Sequence, residues 1–173
     1  LKPLMGKYMG GLESRLREAG FAGRVLVVTT QGGAIDAADM AKSPIHSINS
    51  GPAMAPLAGR TYAQADSGAD TAIIADTGGT TFDVSLVRAG QIKFTRDTWL
   101  LGELIGHNLG LSSVDVRSVG AGGGSIAWVD SGGLLRVGPK SAGAVPGPAC
   151  YGRGGTEATV TDAAVILGYI DPD

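Results

Sequence analysis

The sequence predicts an α/β fold, and three stretches carry that expectation. Arg24-Val25-Leu26-Val27-Val28-Thr29-Thr30 is a β-branched run with little alternation, the pattern of a strand buried on both faces. Residues 3–19 place Leu4, Met5, Tyr8, Met9, Leu12 and Leu16 close to helical spacing. Residues 72–87 read as an apolar run, a turn of small residues with an acid at each end, and an apolar alternation. That is a buried strand, a tight turn and a second strand returning beside the first. With 173 residues the chain can build one domain or two partial lobes around a sizeable core.

In the first helix Glu13 and Arg17 form an i,i+4 pair on the solvent side, and Gly20 is the expected C′ stop. Its methionines read as core filling rather than a cofactor box, because Met suits irregular gaps. The run at 24–30 leads into Gln31-Gly32-Gly33 and a short helix from about Ala34 to Ala41, capped around Ile35-Asp36. Loops at the carboxyl ends of strands are where open α/β sheets bind ligands, so Gln31 is a candidate substrate or phosphate contact. Residues 44–49 alternate and predict a short strand. His46 within it reads as a surface or packing histidine, since no carboxylate or second histidine lies at ligand spacing. Residues 53–65 predict a helix rich in small residues, with Pro52 in its first turn and Pro56 in the next turn or at a kink. Its Ala/Gly content implies close packing, and it reads as a helix crossing between lobes. The polar stretch at 65–71 marks the boundary, so residues 1–70 finish one lobe and 71–173 begin the second.

The turn at 77–81 is the richest in chemistry. Gly78 and Gly79 have no Cβ, so the backbone can take φ > 0 and an anion can approach the amides. Thr77, Thr80 and Thr81 add hydroxyls. Asp76, where the first strand ends, is placed to hold a hydrated cation that neutralises phosphate. An ordinary hairpin loop could also read Thr-Gly-Gly-Thr. Acids at both ends of a hydroxyl-rich turn favour phosphate binding.

Beyond it, residues 88–91 predict a turn and 92–95 a third strand of a meander. Residues 96–111 are ambiguous; Trp99, Leu100, Leu101, Leu104 and Ile105 could make a helix, on which Glu103 and His107 would stand at i,i+4 with no third metal ligand at matching spacing. Residues 114–119 alternate as a strand that places Asp115 and Arg117 on one face. The glycine run at 120–124 is no Rossmann fingerprint, because another strand follows it. Asp130-Ser131-Gly132-Gly133 predicts a hairpin turn with 134–137 as the returning strand. Gly133 to Ser141 departs from a Walker A loop at Pro139 and lacks a helix behind it. Cys150 reads as a buried or half-buried structural thiol, with Arg153 the one cation nearby in sequence. A closing helix over 163–169 is expected to be capped by Thr161 or Asp162. Asp162 has two readings: the cap itself, or a carboxylate at a nucleotide phosphate.

Composition narrows the function classes. A formal net charge of −2 gives no electrostatic case for nucleic acid or an anionic membrane. Apolar residues at 43% against 17% charged argue for a packed chain rather than disorder. One cysteine cannot make an internal disulfide, so a reducing cytoplasm is the default. No apolar run approaches the roughly 20 residues that span a bilayer. Starting at Leu1-Lys2-Pro3-Leu4, the chain reads as a piece of something longer.

Asp76, Gly78, Gly79, Thr80 and Asp83 fit Asp-x-Gly-Gly-Thr-x-x-Asp, which resembles a phosphate loop of the actin, sugar-kinase and Hsp70 ATPase superfamily. Around it stand Ser50-Gly51-Pro52-Ala53, Val119-Gly120-Ala121-Gly122-Gly123-Gly124-Ser125-Ile126-Ala127, Gly138-Pro139-Lys140-Ser141-Ala142-Gly143-Ala144, Pro146-Gly147-Pro148-Ala149-Cys150-Tyr151-Gly152 and Val160-Thr161-Asp162-Ala163. In that order they resemble the hydantoinase A/oxoprolinase family, which includes N-methylhydantoinase A subunits, ATP-dependent oxoprolinases and subunits of acetone and acetophenone carboxylases.

The resemblance implies an RNase H-like, actin-like ATPase fold with ATP and Mg²⁺ as cofactors. Asp76 would take the hydrated metal, Gly78, Gly79, Thr80 and Thr81 the phosphates, and Asp83 would fix the turn or orient water. Asp162 would lie at the phosphates, and Gln31 near the active cleft. Only one such loop is present, so half a nucleotide site is expected here, the other half N-terminal to Leu1 and the adenine pocket beyond Asp173. Family members usually carry Asp-Ile-His where this chain has Asp115-Val116-Arg117. Arginine clamps a carboxylate or phosphate but cannot shuttle a proton, which favours an anionic intermediate and makes Arg117 a candidate substrate contact. The implied activity is ATP-dependent activation of a carbonyl oxygen in an oligomer with a hydantoinase B-type subunit. Cyclic-amide hydrolysis comes first, with ketone carboxylation and a non-catalytic actin-like nucleotide sensor as alternatives.

Overall fold

A computed structural model describes residues 2–100 and 106–172, and its elements are a mixture of helices and strands. The chain divides into two compact units, residues 1–74 with 85–116, and residues 75–84 with 117–173. Among the described residues no helix is long and apolar enough to cross a membrane.

The first unit opens with α1, Lys2–Glu18. It ends as the sequence predicts: Gly20 takes φ +85, its N–H donates to the Arg17 carbonyl at 2.9 Å, and the Phe21 N–H reaches the Leu16 carbonyl at 2.9 Å. This is the paired Schellman closure, open to glycine because φ is positive. Glu13 and Arg17 pair at 3.3 Å. Met9 packs with Ala37 and Met40 in the unit's buried core, with Met5, Val25, Val27, Ile35 and Ala41 around them.

Strand β1, Leu26–Val28, pairs antiparallel with β2, Ala34–Asp36, and α2, Ala37–Lys42, follows. Two expectations are corrected here. The run at 24–30 is not buried on both faces, since Leu26 is 53% exposed. The helix after Gly33 starts three residues late, because Ala34–Asp36 completes a hairpin with β1 before the chain turns helical. Residues 44–49 are not a strand either. Pro44–Ser47 is a 3-10 turn, with the Ser47 hydroxyl donating to the Pro44 carbonyl at 2.7 Å. A serine three residues after a proline offers the backbone this local alternative to a ladder.

Helix α3, Ser50–Ser67, contains both Pro52 and the buried Pro56, and Gly68 at φ +69 closes it. Its Gly59 sits against Ile74, where a Cβ would collide with the isoleucine side chain. The small-residue face therefore allows helix and strand to approach closely. Strand β3, Ala72–Thr77, returns as β4, Phe82–Arg88, and β4 pairs with β5, Gln91–Ile92. The expected strand at 92–95 is split. Phe94–Thr95, β6, pairs instead with β9, Ser113–Val114. Between them β7, Trp99–Leu100, pairs with β8, His107–Asn108, so the described ends of 96–111 are extended rather than helical. Glu103 lies outside the described residues, while His107 is exposed on β8.

Strand β10, Val116–Val119, stands beside β4 in the order β10-β4-β3. In the second unit β11, Ser125–Val129, pairs with β12, Leu135–Ser141, through a bulge at Ser125/Ala127. The Asp130 carboxylate accepts from the amides of Gly132 and Leu134 at 2.9 and 3.0 Å, fixing the turn between them. The last helix, α4, Val160–Ile166, is capped by Thr159 rather than by Thr161 or Asp162.

The β4–β5 turn carries local strain. Ala89 at φ +49 and Gly90 at φ +68 form a two-residue type I′ turn. The Thr71 hydroxyl takes the Ala89 amide at 3.1 Å, and the Asp70 carbonyl takes the Gly90 amide at 2.7 Å. An alanine held in the left-handed region costs about 1 kcal/mol. Ala89→Gly is expected to raise the urea midpoint slightly and Ala89→Val to lower stability by at least about 1 kcal/mol. Three equal midpoints would remove the strain assignment.

Candidate phosphate-binding site

The turn between β3 and β4 has one bond of its own, from the Gly78 N–H to the Thr81 carbonyl at 2.9 Å. The rest of its shape comes from the glycine run. The Gly123 N–H donates to the Gly78 carbonyl at 2.9 Å, and the Gly124 N–H to the Gly79 carbonyl at 2.7 Å. A trans peptide sets its C=O and N–H on opposite sides. Gripping the two carbonyls from one side therefore directs the next two amides, those of Gly79 and Thr80, to the other. Among the described residues neither amide has a partner.

This contact explains which glycines matter. A Cβ on Gly122 would stand 2.6 Å from the Gly78 carbonyl oxygen and 2.6 Å from the Thr81 nitrogen. One on Gly124 would stand 2.9 Å from the Gly79 oxygen. Gly78 and Gly79 do not take positive φ. Neither handedness nor crowding within the chain therefore requires these two glycines: a Cβ on Gly79 would meet nothing within 4 Å, and one on Gly78 would make only ordinary contacts with Thr81. The sequence reading located the loop and missed its support; a run of glycines with a strand rather than a helix behind it is the signal for a close backbone approach.

Asp76, Thr77 and Thr80 are exposed. Asp83 is 6% exposed, on the same buried face of β4 as Ser85 and Val87. Its Oδ2 accepts from the Thr81 hydroxyl at 3.1 Å, while its Oδ1 is buried with no partner among the described residues. No group of three or more His, Cys, Asp or Glu side chains gathers among the described residues. A cation at Asp76 would take its remaining ligands from water and phosphate oxygens, as Mg²⁺ commonly does.

Behind the glycine run lies the start of α4. The Gly123 carbonyl accepts both the Thr161 N–H and its hydroxyl, each at 2.8 Å. Asp162 closes the cap: Oδ2 accepts from the Thr159 N–H and hydroxyl, both at 2.8 Å, and Oδ1 from the Cys150 N–H at 2.7 Å. Burial pushes the Asp162 pKa up, but the donors from Cys150 and Thr159 outweigh it and hold the carboxyl well below its usual range. Cys150 is exposed, correcting the expectation of a buried thiol. Its hydrogen bond to Asp162, with burial second, pushes its pKa up, so it is no activated nucleophile.

Gln31 and Arg117 belong to different units. Gln31 is exposed after β1 in the first unit, on a loop where the Gly33 N–H donates to the Thr29 hydroxyl at 3.3 Å and the Thr29 N–H donates to the Gly33 carbonyl at 2.8 Å. Arg117 is exposed on β10 in the second unit. Asp115 differs from it in burial: it is 8% exposed and ion-pairs with Lys93 at 2.9 Å.

A family model described as Hydantoinase/oxoprolinase matches residues 1–173. The chain is 42% identical over 170 residues to caprolactamase subunit alpha of Pseudomonas jessenii, covering 98% of this chain and 24% of that one. It is 41% identical over 179 residues to the acetophenone carboxylase gamma subunit of Aromatoleum aromaticum, covering 100% and 23%. A nucleotide-free structure of acetone carboxylase, from work on ATP-dependent acetone carboxylation, matches with a TM-score of 0.75 at 30% identity, covering 95% of this chain and 22% of that one. The chain thus spans about a quarter of the length of these relatives.

Two outcomes follow from the geometry. Gly122→Ala must push the loop away from the run and is expected to cost about 2 kcal/mol or more, as overpacking does; a denaturation midpoint equal to wild type would refute the close contact. Asp162 has a depressed folded pKa, so its stabilisation is present above about pH 4 and fades as pH falls further. Asp162→Asn should therefore lower stability at pH 7 and flatten the acid limb of the stability profile. An unchanged acid limb would count against the three-donor arrangement.

Proposed function

Since the chain belongs to the hydantoinase/oxoprolinase family, we propose that it carries the phosphate-gripping loop of an ATP-dependent subunit that activates a carbonyl oxygen for hydrolysis of a cyclic amide. The observation that carries this reading is the pair of unpartnered amides, Gly79 and Thr80, on a loop whose carbonyls are held from behind. The residues present fit the phosphates of a nucleotide: two directed N–H donors, open space over Gly79, and the exposed Asp76 and Thr80 beside them. The frame we propose is the actin-like ATPase fold, with residues 1–70 closing one lobe and 71–173 opening the next.

Bound Mg-ATP would supply the phosphoryl group that converts a poor amide carbonyl into an activated one. The chain's part is to hold and orient. Gly78 fixes the turn through Thr81, Gly79 and Thr80 donate amides to phosphate oxygens, and the Thr80 hydroxyl adds a third donor. Thr81 and Asp83 lock each other, which keeps the returning strand in register with the loop. Asp76 would accept from water on a bound cation. Asp162 contributes by holding the start of α4, and Gln31 and Arg117 are candidate substrate contacts. The relatives named as subunits support a partner, for which we propose a B-type subunit, in an oligomer in the cytoplasm, where Cys150 stays a thiol.

Ketone carboxylation is the second reading. It shares the phosphate step, and identities of 42% to a caprolactamase subunit and 41% to a carboxylase subunit do not divide the two. Arg117 favours it, because a planar guanidinium suits a carboxylated intermediate.

The deciding experiment is ATP turnover by the full-length protein with its partner subunit, against lactams, hydantoins and 5-oxoproline on one side and ketones with bicarbonate on the other. Stimulation by a cyclic amide is expected; stimulation by ketone and bicarbonate alone selects the second reading, and binding without turnover on any of them selects a nucleotide sensor. Asp76→Asn should lower turnover at least about tenfold, the equivalent of 1.4 kcal/mol, in a folded protein. Wild-type turnover in that variant removes Asp76 from the cation. Arg117→Lys keeps charge and loses the fork, so kcat or KM should worsen with stability unchanged; wild-type kinetics in both Arg117→Lys and Arg117→His would take Arg117 out of the substrate site.

A further inference from the structure

We infer that Thr161 is a positioning residue for the phosphate loop, acting through two peptide planes. The inference rests on the proposed phosphate role of that loop. The first plane is the Gly123–Gly124 peptide. Its carbonyl accepts the N–H and hydroxyl of Thr161, each at 2.8 Å, and its N–H, on the opposite side, donates to the Gly79 carbonyl at 2.7 Å. The second plane is the Gly79–Thr80 peptide. Its carbonyl is the acceptor just named, and its N–H is the unpartnered Thr80 amide. The series runs Thr161 to Gly123 carbonyl, Gly124 amide to Gly79 carbonyl, and ends at the Thr80 N–H.

Two physical consequences follow. Peptide planes are rigid, so the angle at which Thr161 holds the Gly123 carbonyl sets the direction in which the Thr80 N–H points. Hydrogen bonds in series also polarise one another, so donors on the Gly123 carbonyl make the Gly124 N–H and then the Thr80 N–H better donors. The close approach of Thr161 requires glycine at position 123, since a Cβ on Gly123 would stand 2.9 Å from the Thr161 hydroxyl oxygen. Thr161 is not the N-cap of α4, which is Thr159, so its hydroxyl is not used to satisfy the helix's own first-turn amides.

The test is Mg-ATP affinity of the full-length protein by isothermal titration, with Thr161→Val and Thr161→Ser. Valine keeps the shape and the N–H but loses the hydroxyl; serine keeps the hydroxyl and loses the methyl. The relay requires Thr161→Val to weaken Mg-ATP about fivefold and Thr161→Ser to stay within about twofold of wild type. The opposite order, serine weak and valine normal, shows a packing role and overturns the inference. So does equal affinity in all three. Should Thr161→Val fail to fold, amide exchange in the wild-type protein decides: the Gly124 N–H must be protected without nucleotide, and Mg-ATP must newly protect the segment containing Thr80. Fast exchange at Gly124 overturns the relay alone. A wild-type protein that does not bind Mg-ATP overturns the phosphate reading and, with it, the positioning role, whatever the protection at Gly124.

Discussion

The amides of Gly123 and Gly124 on the carbonyls of Gly78 and Gly79 are the interaction on which the candidate site depends. Left to itself, the turn from Thr77 to Thr81 has a single internal bond and two glycines, which is too little to choose one backbone path. Each added bond contributes only about 1 kcal/mol net. Their larger effect is geometric, because holding a carbonyl fixes the N–H across the same peptide. The requirement for closeness then dictates composition elsewhere. Gly122 and Gly124 stand where no Cβ fits, so a glycine run beginning more than forty residues later in sequence is the shape complement of the turn.

The support for that run is itself assembled from short pieces. Helix α4 has seven residues, well under the length at which an isolated helix is stable in water. It persists because its first turn is closed by a capping box and docked twice, by Thr161 on Gly123 and by Asp162 on the Cys150 amide. Asp162 therefore joins three segments, at 149–151, at 159 and at α4, with one carboxylate. Its depressed pKa expresses the same fact: burial alone would raise it, and the donors from Cys150 and Thr159 to the ionised form outweigh that cost.

Much of this was legible in the sequence where residues act on near neighbours. The Schellman end at Gly20, the Glu13–Arg17 pair, the strand–turn–strand at 72–88 and the hairpin at Asp130 all depend on spacing within a few residues. Reading failed where two local solutions compete. Pro44 to Asn49 alternates like a strand, yet the Ser47 hydroxyl closes it into a 3-10 turn. Residues 114–119 alternate as one strand, yet they divide at Asp115 because β9 pairs with β6 while β10 pairs with β4. Thr161 was read as a cap by residue type, whereas its hydroxyl goes to a carbonyl 38 residues away. No propensity within a helix window encodes that partner.

Beside the loop, Asp83 stays out of balance. Asp83 is 6% exposed with Oδ2 bonded to the Thr81 hydroxyl, while Oδ1 is buried without a donor among the described residues. A buried carboxylate oxygen without a partner is costly, and native interiors hold few of them. Around it the loop's carbonyl side is satisfied: Gly78 has both its amide and its carbonyl engaged, and the Gly79 carbonyl is held. Apolar packing could have filled the position on β4 without that cost, as Val87 does two places further along the same face from Ser85. The acid stands where the backbone turns toward two free amides, so here local consistency is broken next to that chemistry.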